Sequence, residues 1–472
     1  MGTALVWLRR DLRLADHPAL SAACAAHERV LAVYIHSPQE EEEWAPGSAS
    51  RWWLYRSLQA LARALSERGG ELHLAAGDTL DELVRLIARS GASAVYWTRC
   101  YEPALIARDS RIKAELRRRG VAAESHPGNL LLEPWRISGS KQRPYRMFTP
   151  FWRKLQSQLT APRPLPVPRP RQWARLPGSL PLDSLQLEPR TPWAGGLERS
   201  WRPGEAGARE RLRRFRERAV ADYAAGRDRP ADPGTSRLSA HLHFGEITPG
   251  QIRHALQRPA ARAGAAGSAG LEAFMRELGW REFAHHMLYH FPGTCERNFN
   301  RRFDAFRWAE ADAAVLRRWQ RGMTGVPLVD AGMRELWSTG WMHNRVRMIA
   351  ASFLTKNLRL HWLHGARWFW DTLVDADLAN NTLGWQWVAG SGADAAPYFR
   401  VFNPFIQAAR FDPEAAYLKR WLPELAALPS RLLHQPWRDP SVLTRCGYPE
   451  PMVDVAASRQ LALEAFKELP RD

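Results

Sequence analysis

The 472-residue sequence has few cysteines, few lysines and no long apolar run. Its four cysteines lie far apart and form no C-x-x-C pair, which argues against a disulfide framework and a thiolate zinc site. No stretch approaches the roughly 18 consecutive apolar residues of a membrane span, and arginines stand within residues 1–14, where a secretory signal needs its apolar segment. We therefore expect a soluble, cytoplasmic protein made in a reducing compartment.

Positive charge comes almost entirely from arginine. Lys+Arg total 67 against 49 Asp+Glu, a formal net charge of +18, and only six of the 67 are lysines. Basic side chains release counterions condensed on phosphates, so this excess favours a polyanion such as nucleic acid. Hydrophobic residues make up 45% of the chain, which excludes wholesale disorder, whereas composition does not explain the 22 tryptophans.

Residues 1–130 alternate short apolar runs with helical periodicity. This alternation predicts an α/β domain with a parallel, doubly wound sheet. The turn after the first run contains no G-x-G-x-x-G, so the usual dinucleotide fingerprint is absent. The predicted strands are Thr3–Leu8, Val30–Ile35, Glu71–Ala75, Ala94–Thr98 and Val121–Glu124, and the predicted helices cover 16–27, 49–68, 79–90 and 103–119.

The pattern changes after the sheet. From Pro162 to Pro170 every second residue is proline, and periodicity stays weak to about residue 205, which predicts a long surface linker. We therefore predict an α/β domain at 1–130, an interdomain linker at 131–205 and a large all-α domain at 206–472. The helices expected in the last are Arg209–Tyr223, Leu271–His290, Asp312–Arg321, Asp330–Trp337, Asn344–Leu354 and Gly365–Thr372.

Two segments of the helical half offer groups that bind phosphates or bases. Pro233–Ser239 combines a glycine, two hydroxyls and an arginine at a helix start, which suits a phosphate but equally an ordinary N-cap. Glu277 and Arg281 share a helix face, with Trp280 beside them. This trio fits either a solvated ion pair beside a core tryptophan or a pocket lip that stacks a base.

Charged residues then recur at a second place. Arg345 and Arg347 lie on neighbouring helical positions, and Asp375–Asp377 follows with two carboxylates that cannot share a helix face and therefore suit a turn around one ligand. A metal site is the alternative, but the pair His286 and His290 has no H-E-x-x-H and no third ligand, so we expect no metal. Tryptophans crowd this half; most suit core packing, and a subset could relay electrons.

Long motifs resemble the DNA photolyase/cryptochrome family from end to end. They are Leu5–Arg13, Gly234–Ser239, Trp280–Phe283, Thr339–Met348, Asp375–Trp387 and Ala395–Pro404. The likeness is greatest to bacterial class I cyclobutane pyrimidine dimer photolyases. It implies that the sheet domain binds an antenna and that the helical domain holds FAD without a covalent bond.

The resemblance also implies roles for individual residues. Glu277, which hydrogen-bonds the pyrimidine, and Asn381, which faces flavin N5, would be catalytic. Electrons for photoreduction would pass along Trp385, Trp362 and Trp308, in order from flavin to surface. The implied FAD-binding residues are Tyr223, Thr235, Ser236, Arg237, Leu238, Ser239, Phe274, Asn344, Arg347, Asp375, Ala376, Asp377 and Asn381, with Arg347 and Asp375 as a buried ion pair. The implied DNA contacts are Glu277, Trp280, Arg281, Asn344, Arg345, Arg347, Met348, Trp387 and Gln407.

The implied activity is that of a deoxyribodipyrimidine photo-lyase, a carbon–carbon lyase of DNA repair. Light-excited, reduced anionic FAD would give an electron to a dimer flipped out of UV-damaged DNA, duplex or single-stranded. The cyclobutane ring would then split, and the electron would return to the flavin. Because a dimer stacks poorly, its extrusion costs only a few kcal/mol. A second, antenna chromophore is expected, either methenyltetrahydrofolate or 8-hydroxy-deazaflavin, and the protein is expected to be a monomer.

Two positions depart from the family pattern. Phe274 stands where some class I enzymes have a tryptophan near the flavin. Ala104 and Leu105 replace an Asn–Glu pair that some folate-binding members use, which leaves the antenna open.

Three other functions compete with repair of cyclobutane dimers. Cryptochrome-type blue-light receptors typically have Asp or Cys at the position of Asn381. We also expect that this protein has no signalling tail. A (6-4) photoproduct photolyase typically has paired histidines at His343–Arg345 and differs at Met348. A light-independent nucleic-acid-binding module would leave Asp375–Asp377 and Gly234–Ser239 without a role.

Overall fold

The computed structural model describes residues 2–139, 142–160, 163–189, 193–257, 269–395 and 399–470. Pro162 of the proline run and the segment 396–398 of the last family motif lie outside the described residues. The chain forms two compact units: unit 1 is Met1–Tyr145, Thr149–Ala221 and Ser236–Pro292, and unit 2 is Arg146–Phe148, Asp222–Thr235 and Gly293–Asp472. These units do not test the predicted division into domains at 1–130, 131–205 and 206–472, which stays a prediction.

A parallel sheet forms the core of unit 1. Its strands are β1 (Thr3–Leu8), β2 (Arg29–His36), β3 (Leu72–Ala76), β4 (Ala92–Thr98), β5 (Ala122–His126) and β6 (Gln172–Trp173). The order is β3-β2-β1-β4-β5, and β6 pairs with the start of β2. Central β1 is buried along its whole length, which explains its uninterrupted apolar run. The predicted parallel, doubly wound sheet is confirmed.

Strand β6 lies inside the predicted linker. Its Gln172 N–H donates to the Glu28 carbonyl at 3.0 Å, and the Ala174 N–H donates to Val30 at 2.8 Å. Proline-rich segments can pair at a sheet edge, because only one side of an edge strand needs a donor. Part of this segment is therefore bonded to the sheet of unit 1.

Some of the helices α1–α11 begin at recognisable capping residues. Proline occupies the first turn of α1 and α4, and Asp78 caps α3 by accepting from the Leu80 and Asp81 N–H groups. The predicted helix 209–223 is instead split in two, since Ala219 leaves helical geometry. The bounds are α1 (Pro18–Ala26), α2 (Ser48–Ser66), α3 (Thr79–Ser90), α4 (Pro103–Arg118), α5 (Phe148–Gln158), α6 (Gly195–Ser200), α7 (Glu205–Arg218), α8 (Tyr223–Gly226), α9 (Ser239–His243), α10 (Pro249–Gln257) and α11 (Ala269–His290).

Unit 2 is helical, and no strand occurs among its described residues. The predicted helical domain class is thereby confirmed. Gly340 ends α13 in a left-handed conformation, and a π-helical turn, Phe353–Asn357, follows α14. The bounds are α12 (Ala313–Gln320), α13 (Pro327–Thr339), α14 (Asn344–Ser352), α15 (Trp362–Thr372), α16 (Leu378–Ala389), α17 (Pro404–Phe411), α18 (Ala416–Trp421), α19 (Ser430–Leu433), α20 (Pro440–Cys446) and α21 (Val455–Lys467).

Short 3₁₀ turns connect these elements. They are Pro38–Trp44, Pro134–Arg136, Leu182–Leu185, Pro292–Cys295, Arg301–Ala305, Pro423–Leu425 and Pro436–Arg438. Proline opens most of them, because its fixed backbone angle and missing N–H suit a first helical position.

Candidate functional site

The candidate residues lie in both units. Unit 1 carries Ser236–Ser239 and, on α11, Phe274, Glu277, Trp280 and Arg281. Unit 2 carries the remaining candidates, from Tyr223 and Thr235 to Gln407.

An ion pair joins α14 to the segment before α16 in unit 2. Arg347 donates through Nη2 to both carboxylate oxygens of Asp375, at 3.0 and 2.9 Å, and through Nε to the Met342 carbonyl at 2.7 Å. The Asp375 side chain is only 3% exposed. Burying such a pair is not by itself stabilising, since desolvation offsets the attraction. The pair holds both side chains in a fixed orientation, in which they can contact the polar edge of a ligand.

The start of α14 holds a second arginine in a fixed position. His343 caps the helix by accepting from the Arg345 N–H at 3.2 Å. The Arg345 guanidinium donates to Asp228 at 2.6 Å, and its central carbon lies 4.5 Å from the centre of the Phe411 ring. The other predicted DNA contacts of unit 2 are partly or well exposed: Asn344, Met348, Trp387 and Gln407.

Helix α16 begins at a polar cap. The Asp377 carboxylate accepts from the Asn380 N–H at 2.9 Å and from the Asn380 side-chain amide at 2.7 Å. Asn381 donates its side-chain N–H to the Ala366 carbonyl of α15 at 3.0 Å, so the amide plane is fixed and its oxygen is the acceptor left for a ligand. Ala376, between the two aspartates, is buried.

One face of α16 borders open space. Asp377, Asn381 and Gly384 stand at helical positions i, i+4 and i+7, which share a face. A Cβ added at Gly384 would meet no described heavy atom within 4 Å, although this glycine lies in the middle of a helix. A polar face that ends in a glycine beside open space fits a flat ring system with hydrogen-bonding edges.

The three predicted electron-relay tryptophans differ in exposure. Trp385 is buried against Phe369, with ring centres 4.9 Å apart, and lies over Gly365, where a Cβ would fall 2.0 Å from its ring. Trp362 is fully buried, while Trp308 is partly exposed. This order from buried to exposed suits a path from an interior acceptor to solvent.

The loop before α9 brings polar groups to a tight turn. A Cβ on Gly234 would fall 2.5 Å from the Gly226 carbonyl oxygen, so only glycine allows this approach. Two residues on, Ser236 Oγ accepts from the Leu238 N–H at 3.4 Å. Arg237 adopts a left-handed backbone with φ of 49°, a strained conformation typical of functional turns.

A second arginine lies near this turn within unit 1. Burial, together with the smaller effect of the positive charges of Arg237 and Arg214, lowers the pKa of Arg211 to about 10. Two neighbouring positive charges favour the binding of an anion nearby. Within unit 1, the Ser236 hydroxyl, the strained turn at Arg237 and the two guanidinium groups fit the diphosphate of a flavin nucleotide.

Helix α11 is anchored on one side and exposes its candidates on another. Gly279 lies against the Trp152 ring, where a Cβ would fall 2.4 Å from the nearest ring carbon. Glu282 is buried and accepts from the Leu131 N–H at 2.8 Å; burial raises its pKa. Arg281 donates to the Asn129 carbonyl at 2.8 Å. These contacts leave Glu277 and Trp280 partly exposed.

Two further FAD-site candidates pack into the interior of their units. Phe274 lies against Phe215 in unit 1, with ring centres 4.6 Å apart. Tyr223 begins α8 in unit 2, and the Arg227 guanidinium carbon lies 5.7 Å from its ring centre. Both side chains are nearly fully buried, so they can offer a ligand aromatic ring edges but no charge.

Within the part of the chain that the structure describes, no cluster of three or more His, Cys, Asp or Glu side chains is placed to bind a metal ion. No helix among the same residues combines the length and hydropathy needed to cross a membrane.

Sequence reasoning did not identify Gly365 or Arg211. The close packing of Trp385 against Gly365 depends on the contact between helices α15 and α16. Arg211 and Arg237 are far apart in the sequence. Neither relation leaves a local signal in the sequence.

Comparison with known proteins gives consistent matches. A family model described as "DNA photolyase" matches residues 4–170, and one described as "FAD binding domain of DNA photolyase" matches residues 274–468. Deoxyribodipyrimidine photo-lyase from Agrobacterium fabrum is 44% identical over 474 residues, covering 98% of this chain and 97% of the relative. Cryptochrome-2 from Arabidopsis thaliana is 39% identical over 488 residues, covering 98% and 78%. The crystal structure of a bacterial class III photolyase from Agrobacterium tumefaciens matches with a TM-score of 0.94 and 43% identity, covering 99% and 98%.

Proposed function

The chain belongs to the DNA photolyase/cryptochrome family, and from that premise we propose that it repairs cyclobutane pyrimidine dimers in DNA under light. The predicted family and the FAD cofactor are confirmed, since residues 274–468 form the FAD-binding domain. The narrower likeness to class I enzymes stays a prediction, because a matching structure is that of a class III photolyase. The antenna chromophore stays open.

The observation that carries the proposal is the face of α16. Asn381 is held by α15 with its amide oxygen free for a ligand, and Gly384 beside it leaves open space. Bound FAD, reduced and excited by light, would supply the electron that opens the cyclobutane ring. Asn381 would accept a hydrogen bond from the ring system, and the Arg347–Asp375 pair would fix its polar edge.

DNA binding rests on the arginine excess. Arginines neutralise phosphates without reading sequence, and the net charge of +18 makes such binding strongly salt-dependent. In unit 2, Arg345 is pre-positioned by Asp228 and Phe411. In unit 1, Glu277 and Trp280 stand one turn apart on α11, which suits a carboxylate that hydrogen-bonds a pyrimidine edge beside an indole that stacks on it. We propose a cytoplasmic monomer acting on UV-damaged DNA.

A blue-light receptor is the second candidate, because plant cryptochrome-2 is 39% identical to this chain. The same flavin site would then drive a signal instead of repair. A (6-4) photolyase would use the same site on a different lesion.

One experiment separates these functions. Purified protein is incubated with an oligonucleotide carrying one thymine cyclobutane dimer, another carrying a (6-4) product, and an undamaged control, in blue light and in darkness. We expect extractable FAD and light-dependent loss of the cyclobutane dimer alone. Equal repair in darkness would contradict the mechanism, and tight flavin binding without repair of either lesion would favour the receptor.

The Glu277 role has its own test. Glu277→Gln keeps the size and removes the charge, so repair yield should fall by about tenfold or more while DNA affinity stays nearly constant. Glu272→Gln, an exposed substitution earlier on α11, is the matched control. A loss confined to affinity would remove the proposed catalytic role of Glu277.

A further inference from the structure

The fully buried Trp362 has a fixed hydrogen-bond acceptor. Its indole N–H donates to the Asn298 side-chain oxygen at 3.0 Å. Asn298 in turn donates its amide N–H to the Asp304 carboxylate at 2.9 Å, which sets the orientation of the amide. The acceptor that faces the indole is therefore the amide oxygen, a very weak base, and the carboxylate is kept one residue away.

A histidine lies between this tryptophan and the outer one. The His361 ring centre is 5.5 Å from Trp362 and 5.1 Å from Trp308. Its Nδ1 accepts from the Leu363 N–H at 3.3 Å and caps α15, so the ring cannot turn freely. Burial lowers the pKa of His361 to about 4, with a smaller contribution from His364. The ring between the two indoles is thus neutral at neutral pH.

We propose that Asn298 and His361 are positioning residues that make Trp362 a relay which keeps its indole proton. The proposal rests on the photoreduction path implied for Trp385, Trp362 and Trp308, with light-excited flavin as the oxidant. One electron leaves Trp362 for oxidised Trp385, and one electron then reaches Trp362 from Trp308. The proton stays on Trp362 Nε1 throughout, and only Trp308 ends the sequence oxidised.

The chemistry of the acceptor decides whether the relay works. An indole that has lost an electron becomes acidic, so a carboxylate or free imidazole at hydrogen-bond distance would take its proton. The ring would then be held as a neutral radical that needs a proton to accept the next electron. An amide oxygen supports the positive charge without removing the proton. His361 adds a ring contact across the gap to Trp308 while its capping bond directs Nδ1 toward the backbone.

The test uses holoenzyme with oxidised flavin and follows tryptophan radicals after a laser flash, since protonated and deprotonated indole radicals absorb differently. Asn298→Asp places a base against Trp362 and should give a deprotonated radical there, with about tenfold less oxidised Trp308. Asn300→Asp, whose side chain caps the Arg301–Ala305 turn instead, is the matched control and should behave as wild type. Before any flash, resonance Raman bands that report indole hydrogen bonding should change in Asn298→Leu and not in the control.

Two substitutions distinguish the helix-capping function of His361 from its aromatic contacts. His361→Asn keeps a capping side chain and removes the aromatic contact, so electron transfer from Trp308 to Trp362 should slow by about tenfold. His361→Phe keeps the ring and should recover most of the rate. Unchanged radical protonation in Asn298→Asp, or a wild-type rate in His361→Asn, would overturn the proposal.

The experiments distinguish a failure of the proposed relay from a failure of the proposed repair function. The flash measurement needs no DNA, and repair by chemically pre-reduced enzyme does not need the relay. Variants that lose relay function but repair dimers when pre-reduced support both proposals. Wild type with a working relay and no dimer repair would contradict the repair function alone.

Discussion

Two helical glycines give a matched test of how the inner tryptophan is seated. Gly365 lies in α15 and Gly384 in α16, and both take helical backbone angles. At Gly365 a Cβ would fall 2.0, 2.4 and 2.6 Å from three ring carbons of Trp385, whereas at Gly384 it would meet no described atom within 4 Å. Substitution by alanine therefore has the same effect on helix propensity at both sites, but only at Gly365 does the added methyl group clash with a neighbouring side chain.

The expected magnitudes follow from these distances. Replacing a helical glycine by alanine stabilises by about 1 kcal/mol at either site. Carbon atoms pack at about 3.5–4.0 Å, so the Trp385 ring would have to move by roughly 1.5 Å in the Gly365→Ala variant. Overpacking of this kind costs about 1–3 kcal/mol, which is then the expected stability difference between the two variants. The propensity gain cancels in the comparison.

The assay is urea unfolding of flavin-free protein followed by tryptophan fluorescence, so that ligand binding does not add to stability. We expect Gly384→Ala to unfold at higher urea than wild type and Gly365→Ala at lower urea. In refilled holoenzyme, the displaced ring of Gly365→Ala should also slow photoreduction of the flavin. Equal unfolding midpoints for the two variants would refute the seating of Trp385 against Gly365.

Three other substitutions have direct expectations. Trp385→Phe should block photoreduction of oxidised flavin and spare repair by enzyme that is already reduced; loss of both would make Trp385 structural. Tyr417→Phe removes a 2.7 Å hydrogen bond to the buried Glu335 carboxylate and should cost about 1–3 kcal/mol in thermal or urea unfolding. Burial lowers the pKa of Lys356 well below its usual value. At pH values between this lowered pKa and the unfolded-state pKa of about 10.4, the unfolded protein binds more protons than the folded protein, so the free energy of unfolding rises with pH. In Lys356→Met this rise should disappear from the unfolding profile, and a retained slope would assign it to another group.

The α/β half could be predicted almost completely from local pattern. Buried strands such as β1 are apolar at every position after the first, and amphipathic helices such as α3 carry a capping aspartate, so local and global preferences agree. The two-residue strand β6 was not predictable, because it has no periodicity and depends on β2 lying beside it.

The helical half was predictable in its elements and less so in its ends. The helix expected at 344–354 leaves α-geometry at Phe353, where a π-turn begins, and the helix expected at 365–372 starts earlier because His361 caps it. Family motifs pointed to the Arg347–Asp375 pair, which the structure brings together. The acceptor of Trp362 was not predictable, since Asn298 lies far from it in the sequence and pairs through tertiary packing.

Helix α16 orders the proposed functions around its axis. With about 100° between successive residues, Trp385 lies roughly 40° to one side of Asn381, while Gly384 lies about 60° and Trp387 about 120° to the other. The buried indole is thus on one flank of the Asn381 amide, and the open glycine and the partly exposed indole are on the opposite flank. In the proposed function, electron supply and substrate contact would then act on one ring system from two sides of a single helix. Because Asn381 is bonded to α15 rather than to either tryptophan, changes on one flank need not disturb the other.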